Sequence, residues 1–230
     1  MLIDTLEKLN HARAQKRPVV LLTYLNDGAQ TLYFRDGSYA GREPTNEIKS
    51  LSVRSLDTDC CQLTEDETVF VQPFNPPLRM IIVGAVHITQ SLAEMARYCG
   101  YQVIVVDPRQ AFAATARFPA VELVTDWPDK ALQELAPDTR TAVITLSHDP
   151  KLDDPALNLA LNSNAFYIGA LGSRKTQLAR HKRLTENGFT ETQLARVHGP
   201  VGLDIGAQSP AEIAVAIMAQ VTESLHRGNA

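Results

Sequence analysis

Leu78-Arg-Met-Ile-Ile-Val-Gly-Ala-Val-His87 is the stretch on which the reading of this chain turns. Met80 to Val83 form an unbroken apolar run rich in β-branched residues, the pattern of a strand buried on both faces of a parallel sheet. The run stops at Gly84. The period then changes, because Ile88, Leu92, Met95 and Cys99 recur at helical spacing as far as Gly100, a helix stop. A second apolar run, Val103 to Val106, ends in Asp107, about twenty residues past the glycine turn, where dinucleotide folds place a ribose-binding acid. This is the strand, turn, helix, strand opening of a nucleotide-type domain. Two of the glycines expected in a Gly-x-Gly-x-x-Gly frame are replaced, by Val86 and Thr89.

Downstream the same alternation continues. Val121 to Val124 read as a strand, Asp126 to Leu135 as a helix with Pro128 in its first turn, and Thr141 to Leu146 as a further strand. Asp154-Pro155 caps a helix running to about Leu161, and Ala165 to Ile168 supply another strand into Gly169. Such alternation predicts an α/β fold with a Rossmann-like, doubly wound, mostly parallel sheet. A small α+β domain precedes it: a helix over residues 1 to about 15 built on Ile3, Leu6 and Leu9, then strands at Pro18 to Leu25, Thr31 to Phe34 and Thr68 to Val71. The segment from Arg42 to Glu67 is polar and shows little periodicity. Gln72-Pro-Phe-Asn-Pro-Pro77 marks the boundary, giving domains 1–75 and 76–230.

Composition narrows the functional classes. The chain has 230 residues, of which 44% are hydrophobic and 21% charged, as in a globular protein. A net charge of -4 argues against nucleic acid as a general partner. The apolar runs are too short to cross a bilayer and the first residues lack a secretory layout, so a cytoplasmic location without membrane attachment is expected. Three cysteines form no disulfide framework, and no Cys-x-x-Cys or His-x-x-x-His pair offers a metal site. Each is expected to be a reduced, structural thiol.

In open α/β sheets ligands bind beyond the carboxyl ends of the strands. The residues just past each apolar run are Gly84 and His87, Asp107 and Arg109, His148 and Asp149, and the loop Gly169 to Arg174. Gly172 and Ser173 precede a helix whose first amides suit an anion, with Arg174 and Lys175 in its first turn. Arg180, Lys182 and Arg183 extend the basic run and read as a solvated helix face. Near the carboxyl end, Ser209-Pro-Ala-Glu212 has the form of a capping box. No nucleophile with a paired base is visible, so no catalytic residue is assigned.

Five segments in this order are familiar: residues 83–90, Val-Gly-Ala-Val-His-Ile-Thr-Gln; 106–109, Val-Asp-Pro-Arg; 147–155, Ser-His-Asp-Pro-Lys-Leu-Asp-Asp-Pro; 167–174, Tyr-Ile-Gly-Ala-Leu-Gly-Ser-Arg; and 199–207, Gly-Pro-Val-Gly-Leu-Asp-Ile-Gly-Ala. Together they resemble the XdhC/CoxI family of accessory proteins for xanthine dehydrogenase-type molybdoenzymes, over about residues 76 to 225. The resemblance implies a protein that binds molybdenum cofactor (a molybdopterin) as cargo, protects it during sulfuration and inserts it into the target enzyme. Its implied partners are that molybdoenzyme and a cysteine desulfurase, and a homodimer is expected. With the residues beyond the strand ends taken together with this resemblance, the expected cofactor-binding set is Gly84, His87, Gln90, Asp107, Arg109, His148, Asp149, Gly172, Ser173, Arg174 and Lys175. The chain departs from the family at Val86, where a glycine is usual, and lacks the Ser-Gly-Gly-Cys loop of many members, having Cys60-Cys61 instead. Two other readings accompany this one. The first is an NAD(P)-dependent oxidoreductase with Asp107 on the ribose and His148 as acid or base; the second is a ligand-free adaptor.

Overall fold

The structure is a computed structural model that describes residues 3–113 and 115–227. Contacts divide the chain into two compact units, Met1–Pro76 and Pro77–Ala230. In the first, α1 (Ile3–Ala14) is followed by β1 (Val19–Tyr24), β2 (Gln30–Phe34), β3 (Tyr39–Ala40), α2 (Asn46–Thr58), β4 (Gln62–Leu63) and β5 (Val69–Phe74). The strands form one antiparallel sheet in the order β3-β2-β1-β5-β4. Helix α1 covers one face with Leu9 and Ala12 against Val19, Leu21 and Leu32. Helix α2 covers the other with Ile48 and Leu56 against Val20, Leu22, Val69 and Val71.

Three sequence expectations change here. The buried face of α1 is Thr5, Leu9 and Ala12, whereas Ile3 and Leu6 are exposed, so the helix is rotated from the one built on Ile3 and Leu6. Helix α2 falls in the segment without visible periodicity, because two of its inward positions are serines. Ser52 and Ser55 are fully buried and donate to the carbonyls of Ile48 at 2.7 Å and Cys60 at 2.6 Å, which satisfies their hydroxyls but erases the apolar stripe. Strand β5 runs through Pro73, which sits opposite Val20 of β1. That proline is tolerated because β4 pairs only with Phe70 and Val71, leaving no neighbour to want its missing N–H.

The second unit carries β6 (Arg79–Val83), α3 (His87–Tyr98), β7 (Gln102–Val106), a 3-10 turn at Thr115–Arg117, β8 (Glu122–Val124), α4 (Pro128–Leu135), β9 (Thr141–Thr145), α5 (Pro150–Leu161), β10 (Tyr167–Ala170), α6 (Arg174–Glu186), α7 (Glu191–Leu194), β11 (Val197–His198) and α8 (Pro210–Arg227). All six strands are parallel, in the order β11-β10-β9-β6-β7-β8. This is the doubly wound order in which the chain starts at the centre, builds to one edge, then returns and builds to the other. The central strand β6 is buried on both faces, with Met80, Ile81, Ile82 and Val83 all at 0% exposure. Met80 and Ile82 meet α3 and α8 through Leu92, Ala96, Ile217 and Val221. Ile81 and Val83 meet the opposite layer of α4, α5 and α6 through Leu132, Ala156, Leu157 and Leu184. The α/β Rossmann-type architecture expected from the alternating pattern is therefore present. The capping box also forms: Glu212 Oε2 accepts from the backbone N–H of Ser209 at 2.9 Å and Ser209 Oγ accepts from that of Glu212 at 3.3 Å.

We propose that the two units are independently stable, since Pro76 and Pro77 at the junction lie outside both sheets. Limited proteolysis is expected to release a stable fragment beginning near Pro76. Cleavage that degrades residues 77–227 as fast as the linker would count against independence.

Candidate functional site

The doubly wound order reverses between β6 and β9, and the crevice beyond the carboxyl ends of these two strands is where such sheets hold ligands. Gly84 makes that crevice. Its φ of +107° is one that side chains rarely adopt, and a Cβ there would lie 2.8 Å from the Ser147 backbone nitrogen and 2.9 Å from its Cα. Only a glycine lets the β6 turn and the β9 loop touch. Thr89, in the place of a third glycine, is fully buried and donates its hydroxyl to the Gly84 carbonyl at 2.5 Å, so it braces the turn from within α3. The N-cap of α3 is Val86, which supplies no side-chain cap. The amides of the first turn, beginning at His87, are therefore open to an anion.

Asp107 belongs to the same turn. Its carboxylate is fully buried and accepts four hydrogen bonds: from Ala85 N at 2.8 Å, from Arg109 N and Nε at 2.9 Å each, and from Arg109 Nη2 at 2.8 Å. A carboxylate has about four acceptor positions, so all are filled. Burial pushes the Asp107 carboxyl up, but the bonds from Arg109 and Ala85 outweigh it and leave the group below the usual carboxylate range. Asp107 thus ties the glycine turn to Arg109 and, in this arrangement, offers a ribose nothing. A second arginine holds the same residue through its carbonyl: Arg117 Nη1 donates to the carbonyls of Ala85 at 3.0 Å and Phe112 at 2.8 Å. Gln90, half-buried on α3, lies beside it, with Nε2 3.4 Å from the Arg117 carbonyl and Oε1 3.5 Å from Arg117 Nη2. His87 is exposed at the crevice rim.

The β9 loop supplies Ser147, His148 and Asp149. His148 is exposed and holds a left-handed φ of 61°, a conformation a histidine keeps only when its surroundings impose it. Asp149 is the N-cap of α5 and accepts from Lys151 N at 3.0 Å. The helix therefore begins at Pro150 and not after Asp154, with Pro150 in the first turn and Pro155 inside the helix. Of the two Asp-Pro pairs in this segment, the first one caps. Because Asp149 already places a negative charge on the α5 N-terminus, that helix end is the least suited of the three to an anion.

On the far side of β9, the β10 loop presents Gly172, Ser173, Arg174 and Lys175. Gly172 has a φ of +140°, and a Cβ would meet the Thr176 side chain at 2.8 Å. Ser173 caps α6 by accepting from Thr176 N at 3.2 Å, and Arg174 and Lys175 are exposed residues of the first turn, whose leading amides have no intrahelical acceptor. The rest of the basic run separates. Lys182 is solvated, with 81% of its side chain exposed, as expected. Arg183 makes a bidentate pair with Asp154 at 2.6 and 3.0 Å. Arg180 is 3% exposed, which corrects its reading as part of a solvated face: it is an interior residue.

Gly84, Asp107, Arg109, His148 and Asp149 therefore come together at one edge, with the Gly172 loop one strand further along. The field of Asp149 and Asp153 reaches Arg109 and, after its bond to Asp107, helps to hold its charge. Sequence reasoning missed Ser147, Asp153, Arg117, Gln177 and Arg180 as parts of this edge. Asp153 was within a quoted segment, and Gln177, Arg180 and Leu184 share one helix face at i, i+3 and i+7 spacing, the signal that Arg180 points inward. All three cysteines are free and exposed, so none is a core thiol. Among the described residues no helix is long and apolar enough to cross a membrane, and no group of three or more His, Cys, Asp or Glu could hold a metal.

Residues 80–221 match the XdhC Rossmann domain, well over half of the chain. The chain belongs to the XdhC family. A probable xanthine dehydrogenase subunit of Bacillus subtilis is 28% identical over 202 residues, covering 87% of this chain and 59% of that protein. The Escherichia coli "molybdenum cofactor insertion chaperone PaoD" is 31% identical over 148 residues, covering 64% of this chain and 40% of the relative. A crystal structure described as a xanthine dehydrogenase from Bacillus halodurans superposes with a TM-score of 0.74 at 25% identity, over 99% of this chain and 65% of that one. The chain thus spans from 40% to 59% of these two curated relatives' lengths. Within the XdhC family frame, the residues at the usual Rossmann position give an NAD(P) molecule no support. Val86 stands where the second glycine of that frame would be and packs against the α3 side of the core, and the four acceptor positions of Asp107 are taken.

Proposed function

We propose that this XdhC-family chain handles molybdenum cofactor as cargo, holding it at the carboxyl edge of the parallel sheet for maturation and insertion into a molybdoenzyme. The observation that carries the reading is the 31% identity over 148 residues to a molybdenum cofactor insertion chaperone, together with the family match over residues 80–221, which contain this edge. In detail, the phosphate of the pterin sits on the Gly172–Ser173 turn at the N-terminus of α6, which has open amides and carries the exposed Arg174 and Lys175 in its first turn. His148, Arg109 and the open α3 amides flank the remainder. The cargo is sulfurated while bound, with a cysteine desulfurase as donor partner, and passes to an enzyme of the xanthine dehydrogenase type. The protein acts as a cytoplasmic homodimer. It acts by binding and handing over its cargo, with no turnover chemistry of its own; the hydroxyl next to His148, that of Ser147, donates to Asp153 and accepts from the Asp149 amide.

The test is binding of isolated molybdenum cofactor by fluorescence titration under anaerobic conditions. Replacing Arg174 and Lys175 together by alanine should weaken binding at least tenfold, about 1.4 kcal/mol, with thermal stability nearly unchanged because both side chains are exposed. Lys182→Ala is the control on the same helix, whereas Arg183 is unsuitable because its bond to Asp154 ties α6 to α5. Equal weakening by Lys182→Ala would make the basic run a diffuse field and remove the phosphate cradle. No binding by the unaltered protein would overturn the cargo reading itself.

A further inference from the structure

The two loops that flank β9 and β10 are joined from beneath by one buried polar chain. Ser147 Oγ donates to Asp153 Oδ1 at 2.6 Å and accepts from Asp149 N at 3.1 Å, which fixes the turn that carries His148. Asp153 Oδ2 faces Arg180 Nη2 at 3.4 Å, and that nitrogen also donates to the Leu171 carbonyl at 2.9 Å. Arg180 Nη1 donates to Gln177 Oε1 at 2.6 Å, and Gln177 Nε2 donates to the Ala170 carbonyl at 2.9 Å. The carbonyls of Ala170 and Leu171 are thus drawn inward onto α6, which leaves Gly172 and Ser173 to turn outward.

The ion pair at the centre is a poor choice for stability alone. Asp153 is 1% and Arg180 3% exposed, and burial pushes the Asp153 carboxyl up and the Arg180 guanidinium down, both toward the neutral forms. Arg180 Nε is buried with no hydrogen-bond partner, a cost that a pure stabilising device would avoid. Buried pairs of this kind are often no more stable than apolar residues of similar size, so their retention asks for a geometric reason. The geometry here is that one guanidinium, at the middle of the chain, joins Asp153, which holds the His148 turn through Ser147, to the Leu171 carbonyl and Gln177 beside the Gly172 turn.

We propose that Arg180 is the positioning residue of the cargo site, holding the Gly172–Lys175 anion loop in register with the Ser147–Asp149 turn through Leu171, Gln177 and Asp153. This rests on the reading of that edge as the cofactor site. Arg180 touches no cargo: it acts through the backbone of Leu171 and the side chain of Gln177.

Three proteins decide it: the unaltered chain, Arg180→Lys, and the double variant Asp153→Leu with Arg180→Met, which removes both buried charges at once and so keeps the domain folded. Two quantities are read, the affinity for isolated molybdenum cofactor and hydrogen exchange in peptides covering 146–153 and 170–177. The double variant is expected to lose at least tenfold in affinity and to exchange at least tenfold faster in both peptides. Exchange in β6 and β7 stays as slow as the parent's, and the melting temperature stays at or above the parent's. Arg180→Lys, which keeps the charge but not the fork, should fall between. Parent-like affinity and loop exchange in the folded double variant would overturn the proposal, as would faster exchange spread evenly over the domain. Absence of cofactor binding by the parent would refute the cargo reading, and the exchange comparison would still decide whether Arg180 sets the two loops.

Discussion

Gly84→Ala is expected to destabilise the second unit by about 3 kcal/mol, the sum of a left-handed backbone penalty for a non-glycine residue and forced movement of a packed neighbour. The neighbour is backbone, since the new Cβ would lie 2.8 Å from Ser147 N and 2.9 Å from Ser147 Cα, neither of which can rotate away. Relief requires β6 and β9 to separate at the switch point, and the fixed partner on the β6 side is the Thr89 hydroxyl bond to the Gly84 carbonyl. The damage should therefore centre on the crevice. Urea unfolding followed by circular dichroism gives the loss directly. A cost under about 1 kcal/mol, within the range of ordinary surface changes, would mean the two loops are not in contact as described.

Asp107→Ala should cost a similar amount, about 3 kcal/mol, because it strands the Ala85 N–H and the backbone and guanidinium donors of Arg109 around a fully buried position. Asp107→Asn separates charge from shape, since its amide keeps one acceptor oxygen but turns an NH2 toward Arg109. The pH dependence has a definite sign. The Asp107 carboxyl is held below its ordinary value of 3.8 in the folded chain, so its contribution is fully present above pH 3.8 and is lost as the pH falls below that value toward the folded pKa. Acid unfolding of Asp107→Asn should therefore lack a component that the parent shows below pH 3.8. Parallel curves for the two proteins would show that the carboxylate is not paired in the fold. On the proposed cargo reading, cofactor affinity is expected to fall in either variant through the turn that Asp107 braces, so weakened binding alone does not assign Asp107 to the ligand.

The residues of the second unit announced their own fold. An apolar run buried on both sides, a glycine and a helical period suffice for a parallel strand entering a helix, and repetition of that unit leaves few topologies open. Five motif segments carried the family, because each includes a turn at the end of a strand whose residues are constrained locally by turn and cap chemistry, as Gly84 is by its positive φ and Ser173 by its cap. The Ser209 and Glu212 pair was legible for the same reason, through its reciprocal bonds. What depended on partners distant in sequence stayed hidden. Helix α2 buries serines that look polar until their acceptors, the Ile48 and Cys60 carbonyls, are in place. The role of Asp107 turned on where Arg109 and Ala85 direct their donors. Arg180 is by sequence one cation among several between Arg174 and Arg183, with no acid to distinguish it. Only the packing of α6 against α5 and β10, which brings Asp153 and the Leu171 carbonyl to it, makes it an interior residue. Local geometry is written in neighbouring residues, whereas the sign and use of a charge are set by which groups the tertiary fold brings within a few ångströms of it.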